Sequence, residues 1–194
     1  MKNRKLLLIG LLLVFVLSAC GGGDDKAPVS MSTYKSDAVS IKYPKDWKDS
    51  SLEMFGMTIG IFSPKELGQE ALTGLEDPFA LLGDDPLVLL LVVPQETAAD
   101  MGINLDDMTE GAVPEDENVT IIRQGDITVS GAKGKEIVGK GPMEELGGKT
   151  IGLHVVAALK DDGAALMFVG MSPEKDLDKN LDIFQYMVES IDLK

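Results

Sequence analysis

Pro86 and Pro94 enclose seven consecutive apolar residues, Leu87-Val88-Leu89-Leu90-Leu91-Val92-Val93, and this stretch constrains the fold more than any other. A helix needs about 20 residues to cross a bilayer, so the run cannot span one. Unbroken apolar character without alternation is the pattern of a strand covered on both faces of its sheet. The run is therefore read as the central strand of a domain. Around it the pattern is sheet-like. Val39, Ile41 and Tyr43 alternate with polar residues before Pro44, which marks a half-buried strand. Met57 to Phe62 is a second strand closed by Ser63-Pro64, and 119–122, 127–129, 134–139, 150–159 and 164–171 form a run of strands with turn residues between them. Lys160-Asp161-Asp162-Gly163 joins the last two as a tight hairpin, because Asp-Gly supplies the positive φ such turns need.

Helical spacing occurs twice. Leu67, Ala71, Leu72 and Leu75 fit one or two short helices over 65–82, weakened by Gly68, Gly74 and Pro78. Ser172-Pro173-Glu174 reads as a helix start with Ser172 as the cap, and Leu177, Leu181, Phe184, Met187 and Val188 follow as its buried side. Between these regions, 95–118 is an acidic excursion from the sheet with a short helix or loop around 104–108.

The first twenty residues stand apart. Lys2, Arg4 and Lys5 precede an apolar run from Leu6 to Leu17, which has the charge and length of an export signal. The run ends in Leu17-Ser18-Ala19-Cys20, and Cys20 is the one cysteine among 194 residues. This segment resembles the lipobox of bacterial lipoproteins. The resemblance implies a signal peptide over 1–19, a fatty-acylated (palmitate-type) lipid anchor on Cys20, and placement at the extracytoplasmic face of the cell membrane. Two acyl chains anchor stably where one does not. Residues 20–32, rich in Gly, Asp, Ser and Pro, form a flexible tether, and 33–194 form the domain. Cleavage before Cys20 removes Lys2, Arg4 and Lys5 and no acid, taking the formal charge from −14 to −17. Anionic headgroups repel such a body, so the lipid alone must hold it. The same charge excludes nucleic acid as a partner, since phosphate binding needs clustered Lys and Arg.

The order Val39-Ser40-Ile41-Lys42-Tyr43-Pro44-Lys45-Asp46-Trp47, then Val129-Ser130-Gly131-Ala132-Lys133-Gly134, then a terminal helix carrying Phe184 into Glu189-Ser190-Ile191 resembles the Mog1/PsbP superfamily, in particular the small PsbP-like lipoproteins of bacteria. The resemblance implies an α+β fold, an α/β/α sandwich with a mainly antiparallel central sheet. It also implies binding or assembly rather than catalysis, and it brings no site residues with it.

The remaining motifs read as structure. Gly147-Gly148-Lys149-Thr150 ends like a phosphate loop, but Met143 stands where its first glycine belongs, and a strand rather than a helix follows. It is a hairpin turn. Asp176, Asp178, Asn180 and Asp182 have calcium-loop spacing, yet Leu181 and Met187 replace the required Gly and Glu. They are the wet side of the last helix. His154, the only histidine, has no second His and no thiol to act with, so it is read as structural or surface-placed. Asp46 and Trp47 are a turn cap and a core aromatic. The pairs Asp24-Asp25, Asp84-Asp85, Asp106-Asp107 and Asp161-Asp162 and the run 115–117 are acidic turns able to hold divalent cations weakly. The methionines fill the core.

The expected protein is thus a membrane-anchored, extracytoplasmic lipoprotein with a noncatalytic PsbP-like domain and a protein partner in the cell envelope. It has no catalytic, cofactor or metal residues. A calcium- or small-ligand-binding lipoprotein is the alternative, and a hydrolase built on His154 is a second.

Overall fold

The computed structural model describes residues 27–67, 84–105, 108, 119–143 and 148–194. Ten strands and two helices appear in these segments. In chain order they are β1 (Met31–Lys35), β2 (Val39–Pro44), β3 (Lys48–Met54), β4 (Met57–Ser63), β5 (Leu87–Val93), α1 (Gln95–Met101), β6 (Thr120–Val129), β7 (Ala132–Met143), β8 (Lys149–Leu159), β9 (Ala165–Pro173), α2 (Leu177–Glu189) and β10 (Asp192–Leu193). A seven-stranded sheet has the order β3-β4-β5-β9-β8-β7-β6, and a three-stranded one has the order β1-β2-β10. All pairings are antiparallel.

The proline-bounded run is β5, an inner strand flanked by β4 and β9. The middle position belongs to β9 instead. Alternate residues of β5 reach the two faces as expected of a strand covered twice. Val88, Leu90 and Val92 join the large core with Ile41, Phe168, Phe184 and Met187. Leu87 lies on the opposite side with Ile61, Leu153 and Met171, and Val93 lies there with Ala98 of α1. One face of the large sheet is thus covered by α2 and the small sheet, and the other carries α1. This is the α/β/α arrangement.

Helix α2 seats closely because the strands beneath it lack side chains at two points. A Cβ on Gly170 would lie 2.7 Å from the Phe184 ring, and one on Gly152 would collide with Leu177. The helix starts differently from the sequence reading. β9 runs on to Pro173, and a single 3-10 turn over Glu174–Asp176 precedes α2. Ser172 is not a cap. Its hydroxyl donates to the Pro173 carbonyl (3.1 Å) and accepts from the amide of buried Asn180 (2.8 Å). Asn180 faces inward because this bond satisfies it, as burial of an amide requires. Asn180 and Ile183 are buried, while Leu181 is only partly covered.

Three other boundaries differ. β1 starts at Met31, within the segment read as tether, because its backbone pairs with β2. The strands read over 119–122 and 127–129 are one strand, β6, with a bulge between Ile121 and Arg123. The excursion after Pro94 opens at once into α1. The helices expected over 65–82 fall almost wholly outside the described residues.

Candidate functional site

Four connections converge at one end of the domain. They are the β1–β2 turn at Ser36–Ala38, the β3–β4 turn at Phe55-Gly56, the start of α1, and the β8–β9 turn at 160–163. Together they border a groove of about 590 Å³, lined among others by Asp37, Glu53, Phe55, Gln95, Asp162 and Lys194. The far end of β3 begins at Lys48, three residues after Lys45, whose amide donates to Ser30 (2.8 Å) where the N-terminal segment joins. The groove and that junction therefore sit at opposite ends of a seven-residue strand, about 20 Å apart at strand rise.

The β3–β4 turn is the unusual element. Met54 pairs with Met57, which leaves a two-residue loop with φ 53 at Phe55 and 76 at Gly56. Right-handed strand twist favours such loops, but the first position belongs to Asn, Asp or Gly. A non-glycine residue at positive φ is uncommon, and a bulky one is an outlier. Phe55 is 80% exposed, so no packing within the described domain offsets the strain. Thr97 of α1 supports the turn from behind, its hydroxyl donating to the Phe55 carbonyl at 3.5 Å. Met101, one helical turn beyond Thr97 on the same face, is 60% exposed, and Met54 is 42% exposed. Six large apolar residues are exposed among the described ones, and three of them lie here. The sequence reading missed this group because Phe-Gly is not a usual turn signature. A two-residue gap between Leu52-Glu53-Met54 and Met57-Thr58-Ile59, with glycine second, was the available clue.

A second cluster runs from the core to the surface. His154 of β8 is 0% exposed, and its Nε2 lies 2.8 Å from Glu136 Oε1 on β7. Arg123 of β6 bonds the same oxygen at 2.9 Å, and its guanidinium also donates to Gln185 of α2 (3.2 Å). The His154 bond, followed by Arg123, holds the Glu136 carboxyl below the usual carboxylate range, against the opposing effect of burial. An ionised Glu136 accepts, so Nε2 carries the proton. Nδ1 has no hydrogen-bond partner among the described residues, and the imidazole packs beside the Phe168 and Phe184 rings. The cluster is a strut from sheet to helix, with His154 buried at one end and Arg123 open to solvent at the other. Of the two placements read for His154, structural or at the surface, the residue is buried and not at the surface, and its partner was not visible in the sequence.

The other sequence candidates are dispersed. Cys20 lies outside the described residues, as do Asp24-Asp25, Asp106-Asp107 and 115–117. Lys149 and Thr150 open β8, which pairs with β7, so a strand follows the glycines as the sequence indicated, and Gly147 lies outside the described residues. Asp176 falls in the 3-10 turn, and Asp178, Asn180 and Asp182 fall in α2. Trp47 is buried in the core. Three acids from the turn pairs are engaged: Asp84 with Lys149 (3.2 Å), Asp162 with Lys160 (3.3 Å), and Asp85 with Lys65. Among the described residues no group of three or more His, Cys, Asp and Glu is arranged to hold a metal ion. Among the same residues no helix is long and apolar enough to cross a membrane.

No protein-family model and no curated protein matches the chain. Solved structures do. A mutant of Mog1 is 10% identical over 85% of this chain and 96% of its own, with a TM-score of 0.50. The fold is Mog1/PsbP-like. LpqN of Mycobacterium tuberculosis, described as involved in cell envelope biogenesis, is 11% identical over 85% of this chain and 91% of its own (TM-score 0.49). The cyanobacterial PsbP of Synechocystis is 14% identical over 89% and 96% (TM-score 0.47). At these identities the likeness is one of fold.

Proposed function

We propose that this protein is a lipid-anchored lipoprotein of the extracytoplasmic membrane face, whose domain binds a protein partner and catalyses no reaction. The observation that carries the binding reading is Phe55, a bulky residue at positive φ and open to water beside a groove. Strain with no internal return marks a site whose contact lies outside the fold, and exposed aromatics anchor interfaces more often than other residues. The anchoring reading rests on the sequence around Cys20. Against a hydrolase stands the position of the only histidine, sealed beneath α2. Against a dedicated calcium site stand the lysines already paired with Asp84, Asp85 and Asp162.

Two measurements test the proposal on the full-length protein in cells. Labelling with a fatty-acid analogue should mark the wild type and leave Cys20→Ala unmarked. A photoreactive amino acid at position 55 should crosslink a discrete envelope protein, whereas the same group on the exposed face of α2, at position 182, should not. An unlabelled wild type removes the anchor. Equal crosslinking from both positions removes the docking site.

A further inference from the structure

The groove end differs in charge as well as in shape from the rest of the domain. The turns and helix that form it expose Asp37, Glu53, Glu96, Asp100, Asp161 and Asp162. The basic residues there are Lys35, Lys160, Lys194 and, across from Leu159, Lys133. Lys160 is spent on Asp162, and the Lys194 ammonium donates to the Ser36 carbonyl. At the opposite end three of the acids, Asp84, Asp85 and Glu174, are each matched by a lysine. An excess of uncompensated carboxylates thus surrounds the apolar trio Met54, Phe55 and Met101. Methionine is an adaptable contact residue that suits helices of varied sequence, and an aromatic supplies the fixed anchor.

We infer that this end takes a cationic amphipathic segment of the protein partner, with its apolar face against Met54, Phe55 and Met101 and its basic residues over the surrounding carboxylates. This rests on the partner-binding reading above and narrows it to one chemistry. Helix-in-groove recognition works in this way, with apolar side chains for anchorage, and charge complementarity sets partner choice and encounter rate. A second copy of this chain is a poor occupant, since it would bring the same carboxylates against themselves. Anionic lipid is repelled for the same reason.

The test uses the full-length protein in nanodiscs of zwitterionic lipid, with empty nanodiscs as the blank. Three synthetic 14-residue peptides serve as probes, each with a photoreactive group on its apolar side: a Leu/Lys amphipathic helix, its Leu/Glu counterpart, and a Leu/Lys scramble without an apolar face. The first should bind saturably and crosslink to 53–57 and 95–101. Its affinity should fall at least tenfold in Phe55→Ser and in the pair Glu53→Lys with Asp37→Lys, and several-fold in 0.5 M salt (about a 4 Å screening length). The other two peptides should not bind. Binding of the Leu/Glu helix as tightly as Leu/Lys, binding unaffected by Phe55→Ser, or no binding by any peptide overturns the inference. If position 55 still crosslinks an envelope protein in cells, the docking site stands and only its preference for a cationic segment falls. If that crosslink is also absent, both fall.

Discussion

Two turns in this domain share a backbone and differ in what they do with it. Ser130-Gly131, between β6 and β7, has φ 50 and 80, and Phe55-Gly56, between β3 and β4, has φ 53 and 76. Each places a non-glycine residue in the left-handed region, which L-residues enter at a cost of about 1–2 kcal/mol. At Ser130 the cost is offset inside the molecule. Its hydroxyl accepts from the Leu193 amide (2.9 Å) and donates to Asp192 (3.4 Å), holding β10 to the large sheet. At Phe55 the side chain is 80% exposed and returns nothing comparable among the described residues. The same strain is offset within the molecule in one turn and has no such return among the described residues in the other, which is why the proposed docking site is placed at the second.

The comparison can be broken most severely through the hairpin that carries Ser130. Glu136→Ala in β7 leaves the buried His154 and its Arg123 neighbour without their shared acceptor. The expected loss is about 1–3 kcal/mol, measured by denaturant unfolding. Glu136→Gln should recover part of it by keeping an acceptor.

Titration separates the two hairpins at opposite ends of the pH scale. The folded pKa of Glu136 is lowered, so its contribution is present above its ordinary value near 4.5 and is lost as pH falls through the folded value. β3, which leads to Phe55, is tied to β2 by the Tyr43 hydroxyl donating to Asp49 at 2.5 Å. That bond, followed by burial, raises Tyr43 to about 12 from 10.0. A raised value means stability present below pH 10 and lost between 10 and 12. Melting temperature should fall at both extremes. Tyr43→Phe should remove the alkaline loss and leave the acid one unchanged.

Smaller effects sharpen the contrast at the turns themselves. Ser130→Ala removes an acceptor from a part-buried amide and should cost about 1–2 kcal/mol. Phe55→Asn relieves the left-handed strain with a residue suited to it and should raise stability by about 0.5–1 kcal/mol, while abolishing crosslinking from that tip. A substitution that strengthens the fold and removes the function is the signature expected of a contact residue. Destabilisation by Phe55→Asn would show that the ring packs within the fold.

The sequence announced those elements whose residues match their surroundings. β5 was legible because burial on both faces demands unbroken apolar residues, and the β8–β9 hairpin was legible because Asp-Gly suits its turn. β3 was not, since Lys48-Asp49-Ser50-Ser51 on a sheet edge has no apolar side to declare. Asn180 was assigned to water because an amide is normally wet, and only its bond to Ser172 makes its burial tolerable. The His154–Glu136 pair depends on the β7–β8 register, which sets Val138 across from His154 and leaves Glu136 diagonal to it, and spacing along the chain does not encode that. Phe55 was hidden by its own misfit, since a turn is recognised by the residues it prefers.

One consequence concerns the order in which the domain can assemble. β2 has β1 on one side and β10 on the other, and Lys42 donates to Ser190 across 148 positions of the chain. Pairings so distant in sequence form slowly. A chain emerging N-terminus first carries β1–β2 as a lone hairpin, marginal by itself, until residues 190–194 arrive to close the small sheet and fasten it to Ser130. The groove, whose walls include Asp37 and Lys194, is therefore complete only once the segment that follows α2 has paired with β2.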